Sequence, residues 1–322
     1  MCGIAGIIGN YDQSDKYKIS KTMKHRGPDG VGFFDGENFC FIHSLLKIMD
    51  LSDSSIQPMI DKDTGNVIIF NGSIYNYKNL RNKFFSNISL KSNTDTEVLL
   101  NLYRKFGIEF IKHIKGMFSI ALFDKKLNKV YIIRDRFGIK PLFYFSDSEY
   151  FIFASEIKIL LSHRNVKKSL NLDVDEVLKF IGHRQLLGFK KTLLKNIKIL
   201  EPNNYIEINL SNKKFKVENY NNELDKLVLK EDCDNLIFEN KFDESVGYHT
   251  ITEHKKIACL LSGGIDSGLL SVVLNAKSEE KEVHTFSSIL NEPNIENKNI
   301  PRLVKENNFI HHYLHEDSIN FF

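Results

Sequence analysis

Met1-Cys2-Gly3-Ile4-Ala5-Gly6-Ile7-Ile8 opens the chain, a short apolar run with a thiol at its head. An initiator Met before a small residue is commonly removed, and Cys2 would then carry a thiol and a free α-amino group together. Such an amine titrates at roughly 7.7–8.0, close enough to neutrality to serve as the local base for the thiol. Alone, a second-position Cys reads more simply as a small buried residue at the start of a strand. Residues further along decide between the two.

Outward from that stretch to about Tyr220, the chain has the texture of short alternating strands with occasional helices. Val67–Phe70 reads as a strand that ends at Asn71-Gly72, a turn dipeptide. Thr94-x-x-Glu97 is a capping box ahead of the apolar stripe Val98, Leu99, Leu102, Tyr103, and Gly107 can close that helix. Met117–Phe123 and Val130–Arg134 pair as a hairpin across polar Asp124–Lys129. Phe151–Ala154 is a further strand, leading into a helix near Ser155–Leu161. Asn204–Leu210 and Lys214–Asn219 form a second hairpin, turning at Ser211–Lys213. The polar stretch Asn221–Asp234 is the expected linker between a domain 1–220 and a segment 221–322.

After the linker the rhythm changes to strand Ile257–Leu261, a Gly loop, a helix, and strand Val283–Ser287, the βαβ pattern of a parallel sheet. The loop is Leu261-Ser262-Gly263-Gly264-Ile265-Asp266-Ser267. Two glycines let backbone wrap an anion, the helix N-terminus adds its dipole and free N–H groups, and the serines add donors. No Lys follows the glycines, so this is not the Walker pattern. A ligand-free Gly-rich turn is the bland alternative.

Composition excludes several classes. Of 322 residues, 42% are hydrophobic and 26% charged, enough to fill a core in two domains or in one and part of another. With 44 basic against 41 acidic side chains, there is no electrostatic case for nucleic acid or an anionic membrane. Cys2, Cys40, Cys233 and Cys259 stand far apart without a CxxC pair, against a zinc site or disulfide framework and consistent with a reducing compartment. The longest apolar run, Ile257–Leu274, is broken by Gly263, Gly264 and Asp266, and the N-terminus lacks a basic signal-peptide region. A cytoplasmic protein is expected. His311, His312, His315 and Glu316 suggest a metal site, which we set aside as a His-rich entry into a strand.

Four motifs in order resemble the class II glutamine amidotransferases: Cys2-Gly3-Ile4-Ala5-Gly6, His25-Arg26-Gly27-Pro28-Asp29-Gly30, Asn71-Gly72-Ser73-Ile74-Tyr75-Asn76 and Ser92-Asn93-Thr94-Asp95. The resemblance implies an N-terminal-nucleophile αββα sandwich in which Cys2 attacks the glutamine carboxamide and forms a thioester. It implies an oxyanion hole from the Asn71 side chain and the Gly72 N–H. Asp95 would hold the substrate ammonium, with Ser73, Lys47 and Ile48 also at the glutamine site.

Two positions depart from the family pattern. In His43-Ser44-Leu45-Leu46-Lys47-Ile48, Leu45 stands where the family has the Arg that clamps the glutamine α-carboxylate, and Ser73 stands where Glu is usual. A lost charge-assisted bond costs about 1.5–3 kcal/mol. In an extended segment Lys47 shares a face with position 45 and could restore the charge, though not the bidentate fork.

The 261–267 loop is similar to the SGGxDS pyrophosphate loop of ATP pyrophosphatases. With the first domain, and with Arg134-Asp135-Arg136-Phe137-Gly138-Ile139-Lys140-Pro141-Leu142, Phe153-Ala154-Ser155-Glu156-Ile157-Lys158 and Leu200-Glu201-Pro202, the chain resembles the glutamine-hydrolysing asparagine synthetase family. That implies ATP and Mg²⁺, with Leu261, Ser262, Gly263, Gly264, Asp266, Ser267 and Ser288 at the nucleotide and Asp266 at the metal. Glutamine and aspartate would be substrates. Ammonia released at Cys2 would attack an aspartyl adenylate, giving asparagine, AMP and pyrophosphate.

The later SGEGGDE-type motif and later Lys are absent, and Thr252-Glu253-His254-Lys255-Lys256 departs from the usual SDVPVG-like lead-in. The second domain is therefore expected to be an incomplete α/β parallel-sheet unit. A truncated sequence, an interrupted gene, or a subunit completed by a C-terminal partner chain would each account for it, and a homodimer is also open. An amidotransferase acting on another carboxylate, such as a sugar acid, and a non-catalytic remnant or interaction subunit remain the alternatives.

Overall fold

A computed structural model describes residues 2–48, 56–88, 90, 92, 94–184, 190–221, 234–252, 254–278, 281–289 and 296–315. The chain forms two compact units, Met1–Leu227 and Val228–Phe322.

The first unit runs β1 (Gly3–Ile8), α1 (Gln13–Met23), β2 (Gly30–Asp35), β3 (Phe39–Leu45), β4 (Met59–Ile60), β5 (Val67–Ile74), α2 (Tyr77–Phe85), α3 (Asp95–Phe106), β6 (Gly116–Asp124) and β7 (Lys129–Arg134). It continues with β8 (Phe143–Ser146), β9 (Phe151–Ala154), α4 (Ile157–Leu160), α5 (Arg164–Lys168), α6 (Val174–His183), β10 (Ile197–Ile199), β11 (Asn204–Asn209) and β12 (Phe215–Asn219). Two six-stranded sheets form, ordered β10-β8-β9-β1-β3-β2 and β12-β11-β7-β6-β5-β4. Every pairing within them is antiparallel.

Strand alternation divides these residues into layers. Ile4, Ile8, Phe39 and Phe41 from the first sheet meet Val67, Ile69, Ala121, Val130 and Ile132 from the second in a dry layer between the sheets. Each fully buried large side chain there contributes roughly 1.5–3 kcal/mol relative to exposure. The alternate residues Ala5, Ile7, Cys40 and Ile42 face outward against Ile19 and Met23 of α1 and Ile159 and Leu160 of α4. α3 packs along β5, and Tyr103 on α3 donates to Asp124 at 2.6 Å. The result is the expected αββα sandwich.

The 94–107 helix has one half of the expected capping box: Thr94 accepts from the Glu97 N–H, and Gly107 ends the helix at φ 58°. The returning Glu97 carboxylate takes the Ser92 N–H at 2.6 Å. Both hairpins form, β6–β7 and β11–β12. Asn71-Gly72, however, is not a turn. β5 continues through both residues to Ile74, with Asn71 opposite Ser119 and Gly72 opposite Phe118. Cross-strand pairing overrides the local turn preference of the dipeptide. A Cβ on Gly72 would lie 2.1 Å from the Met117 carbonyl oxygen, so glycine serves close strand approach here.

The second unit comprises α7 (Asn235–Tyr248), β13 (Lys256–Leu260), α8 (Ile265–Ala276), β14 (Glu282–Ile289), α9 (Ile300–Asn307) and β15 (Ile310–His315). Its sheet, β13-β14-β15, is parallel throughout, as the βαβ pattern predicts. Val283, with Val246, Leu261, Leu274, Ile300 and Phe309, forms the core beneath the helices. On the opposite sheet face Leu260 is 78% exposed and Leu314 49%, whereas parallel sheets are normally covered on both faces. Among the described residues no helix is long and apolar enough to cross a membrane. The linker positions 222–233, Cys233 and Glu316 lie outside the described residues.

Candidate active site

β1 delivers Cys2 to one end of the sandwich. The Leu46 N–H donates to its sulfur at 3.3 Å, and the thiol faces the Leu46 carbonyl oxygen at 3.5 Å. Its backbone is held separately: Arg26 Nε donates to the Cys2 carbonyl at 3.0 Å, and Arg26 Nη1 meets Glu156 Oε1 at 2.6 Å. Glu156 also faces His25 and Lys158. Two residues on, the Ile4 N–H donates to Ser155 Oγ at 3.0 Å. The segments 25–30 and 153–158 thus meet at the start of β1.

The electrostatics of the thiol are opposed. Burial pushes the Cys2 pKa above its ordinary value and Asp95 adds to the rise, while the Leu46 backbone, the chain's terminal amine and Lys140 pull it back. Lys140 is itself buried, and burial followed by Arg26 lowers its pKa while Asp135 and Cys2 raise it. Asp135 is a fully buried hub: Oδ2 accepts from the N–H groups of Phe118 and Lys140, and Oδ1 from those of Phe137 and Ile139.

Asn71 is 1% exposed, and its Nδ2 has no hydrogen-bond partner among the described residues. A buried, unpaired amide donor is costly unless a ligand uses it. Asp95 begins α3 with its carboxylate buried, Oδ2 accepting the Ile74 N–H at 3.0 Å. Burial raises its pKa to about 6 against the backbone donors of Ile74, Thr96 and its own N–H. Ser73 sits two residues beyond Asn71 on the same strand face.

β3 ends at Leu45, which is 4% exposed. Strand alternation therefore does not carry on to Lys47, whose N–H donates to Asp29 Oδ2 at 2.9 Å. Ile48, 41% exposed, follows it.

In the second unit, the 261–267 loop lies at the carboxyl end of β13, where ligands of parallel sheets gather. Gly263 adopts φ 85°, a conformation that favours glycine, and Gly264 caps α8 without a side-chain partner. Ser262 and Ser267 hydroxyls meet at 2.9 Å, Ser267 Oγ accepts the Ser262 N–H, and Ser262 Oγ accepts the Gly264 N–H. Leu261 is buried, its N–H bonded to the Phe286 carbonyl at 2.8 Å. Asp266, in the first turn of α8, and Ser288, near the end of β14, are exposed at the same sheet edge. Among the described residues no group of three or more His, Cys, Asp or Glu could hold a metal. His311 pairs with Thr285 and His312 with His284, on opposite faces of β15.

The family model for the glutamine amidotransferase domain matches residues 1–221. The chain belongs to the glutamine amidotransferase family. A second model, asparagine synthase, matches residues 238–318. The chain is 35% identical over 311 residues to a glutamine-hydrolysing asparagine synthetase of Bacillus subtilis, covering 89% of this chain and 40% of that protein. It is 32% identical to a putative glutamine-hydrolysing asparagine synthetase of Methanocaldococcus jannaschii, covering 89% and 59%. The chain spans about half the length of the relatives it matches. Among solved structures, the glutamine phosphoribosylpyrophosphate amidotransferase of B. subtilis matches with a TM-score of 0.54 over 98% of this chain and 91% of that one. At 12% identity this likeness shows the fold alone.

Within this amidotransferase fold, sequence reasoning missed two residues that border the site. His43, two positions before Leu45, is fully buried, and burial holds its pKa down at about 4. Ser119, opposite Asn71 on β6, is also fully buried, and its hydroxyl has no partner among the described residues. Their signal was available: a polar residue on the inward register of an otherwise apolar strand.

Proposed function

We propose that Cys2, freed of Met1, hydrolyses glutamine, and that the released ammonia amidates an ATP-activated carboxylate, with aspartate as the acceptor and asparagine as the product. The observation that carries this is a thiol held at its backbone by Arg26, with an unpartnered, buried Asn71 amide at the same end of the sandwich. The α-amine takes the thiol proton, and sulfur attacks the carboxamide carbon. The developing oxyanion is met by Asn71 Nδ2 and the Gly72 N–H. Collapse, with the α-ammonium handing that proton to the leaving nitrogen, expels ammonia and leaves a glutamyl thioester, which water cleaves to glutamate and free thiol. Asp95 holds the substrate ammonium, with Ser73, Lys47 and Ile48 around the rest of glutamine.

In the second unit the Ser262–Ser267 loop is suited to the nucleotide phosphates, with Leu261 beneath it and Ser288 at the same edge. Asp266 is one carboxylate, which fits Mg²⁺ that is bound mainly by ATP phosphates. That ion would offset charge on the phosphate oxygens. The acceptor follows the relatives' names, and a related carboxylate such as a sugar acid stands as the enzymatic alternative. A cytoplasmic setting accords with free thiols at Cys2, Cys40 and Cys259.

Buried, apolar Leu45 in place of the family's clamp Arg favours a second reading, a chain that keeps the fold without glutaminase activity. Glutamate release from glutamine by the purified chain, beside Cys2→Ala and with Met1 removal checked by intact mass, separates the two. Release that depends on Cys2 supports the amidotransferase. No release from processed, folded protein transfers the case to the non-catalytic reading.

A further inference from the structure

The layer between the two sheets is apolar along most of its length and turns polar at the Cys2 end. On β3, Phe39 and Phe41 face this layer, and the next residue in that alternation is His43. On β5, Val67 and Ile69 face it, followed by Asn71; on β6, Ala121 is followed by Ser119. His43, Asn71 and Ser119 are each 0–1% exposed. Both ring nitrogens of His43, the Asn71 Nδ2 and the Ser119 Oγ have no hydrogen-bond partner among the described residues. His43 is the register partner of Ile4, two residues from Cys2, and its ring lies beside the backbone of Phe70, the residue before Asn71.

We propose that His43 is a positioning residue for Asn71, its neutral ring bracing the end of β5 so that the carboxamide keeps one orientation toward the oxyanion. A strand core would ordinarily place an apolar side chain at this register, as it does at positions 39 and 41. An uncharged imidazole brings a donor and an acceptor to the one place where a neighbouring amide must be held with its own donor unspent. Burial keeps the ring neutral across the working pH range, so it adds no charge near the thiol.

This inference rests on the amidotransferase reading for its kinetic consequence but not for its contact. In the full chain, His43→Leu is expected to lower kcat for glutamine hydrolysis at least tenfold with KM within twofold. The double variant with Asn71→Ala should be no slower than Asn71→Ala alone. A merely structural His43 would give losses that multiply, and that result overturns the proposal.

The second measurement needs no activity. The ring ¹⁵N resonances of His43 are expected to report a neutral imidazole down to about pH 4 and to shift on Asn71→Ala. Ring resonances unmoved by Asn71→Ala overturn the coupling even if the wild-type chain releases no glutamate or His43→Leu fails to fold. Absence of glutamate release together with shifted ring resonances would sink the amidotransferase reading and leave the contact standing.

Discussion

Arg26 and Glu156 form an ion pair at 2.6 Å whose guanidinium also holds the Cys2 carbonyl at 3.0 Å. The pair lies behind Cys2, the proposed nucleophile, and fixes the residue that on that reading presents amine and thiol on one face. Arg26 is 8% exposed, so removing its carboxylate partner leaves a nearly buried cation. Glu156→Gln is expected to lower glutamine hydrolysis about tenfold while the chain stays folded. Arg26 and His25 hold the Glu156 carboxyl at about 2 despite partial burial. Its stabilising share is therefore present above the ordinary carboxylate range and is lost only as pH falls toward 2. A Glu156→Gln rate equal to wild type, at matched thermal stability, would remove the pair from the catalytic account.

Asp95 should set the acid limb of glutamine binding. Its buried carboxyl titrates at about 6, and in the proposed reaction only the ionised form would pair with the substrate ammonium. KM for glutamine is expected to rise about tenfold per pH unit below 6 and to be flat from 7 to 8. The sign for stability is reversed. A carboxyl whose folded pKa is raised binds its proton more tightly in the folded state, so its penalty is full above pH 6 and vanishes as pH falls toward 4. Asp95→Asn keeps an acceptor for the Ile74 N–H and loses the charge. It should stabilise the chain at pH 8 by up to about 3 kcal/mol while abolishing glutamine binding. Thermal melts at pH 8 and pH 5 check this, since the gain should shrink at the lower pH.

Lys140 opposes the effect of burial on the Cys2 thiol. Lys140→Met preserves the aliphatic stem and removes the charge. The Cys2 pKa, read from the pH dependence of iodoacetamide alkylation in the intact chain, is expected to rise. An alkylation profile identical to wild type would show that the two groups do not interact.

Gly263 carries the positive φ of the 261–267 loop, the proposed phosphate site. Gly263→Ala strains that backbone by roughly 1–3 kcal/mol and should weaken ATP·Mg²⁺ binding at least tenfold. Calorimetric titration of ATP·Mg²⁺ into the full chain measures it. Equal affinity in the variant would mean that the loop does not bind phosphate.

Much of this architecture was legible because it is local. The Thr94 cap, the Gly107 stop, both hairpins and the βαβ rhythm after residue 256 are short-range signals, and the structure has them. Asn71-Gly72 misled for the opposite reason. Its turn chemistry is local, whereas its strand conformation is set by Met117–Ser119 on β6, more than forty residues away. His43 went unread because its burial depends on three strands stacking above another sheet, which no window of sequence records. The Arg26–Glu156 pair spans 130 positions, and only the assembled sheet brings the two motifs together.

Lys47 is the last residue for which sequence and structure give a sharp expectation. Leu45 occupies the buried end of β3 and offers no charge to a glutamine α-carboxylate. Lys47 follows two residues later, beyond the strand, with its N–H fixed on Asp29 at 2.9 Å. That bond uses the backbone only, so Lys47→Ala leaves it intact while removing the ammonium with its stem. A point charge recovers part of what a bidentate guanidinium would supply. Lys47→Ala is therefore expected to raise KM for glutamine about tenfold, near 1.4 kcal/mol, with kcat within twofold. Lys47→Arg should hold KM at or below the wild-type value. An unchanged KM in Lys47→Ala would mean that the α-carboxylate is bound without a cation from this segment.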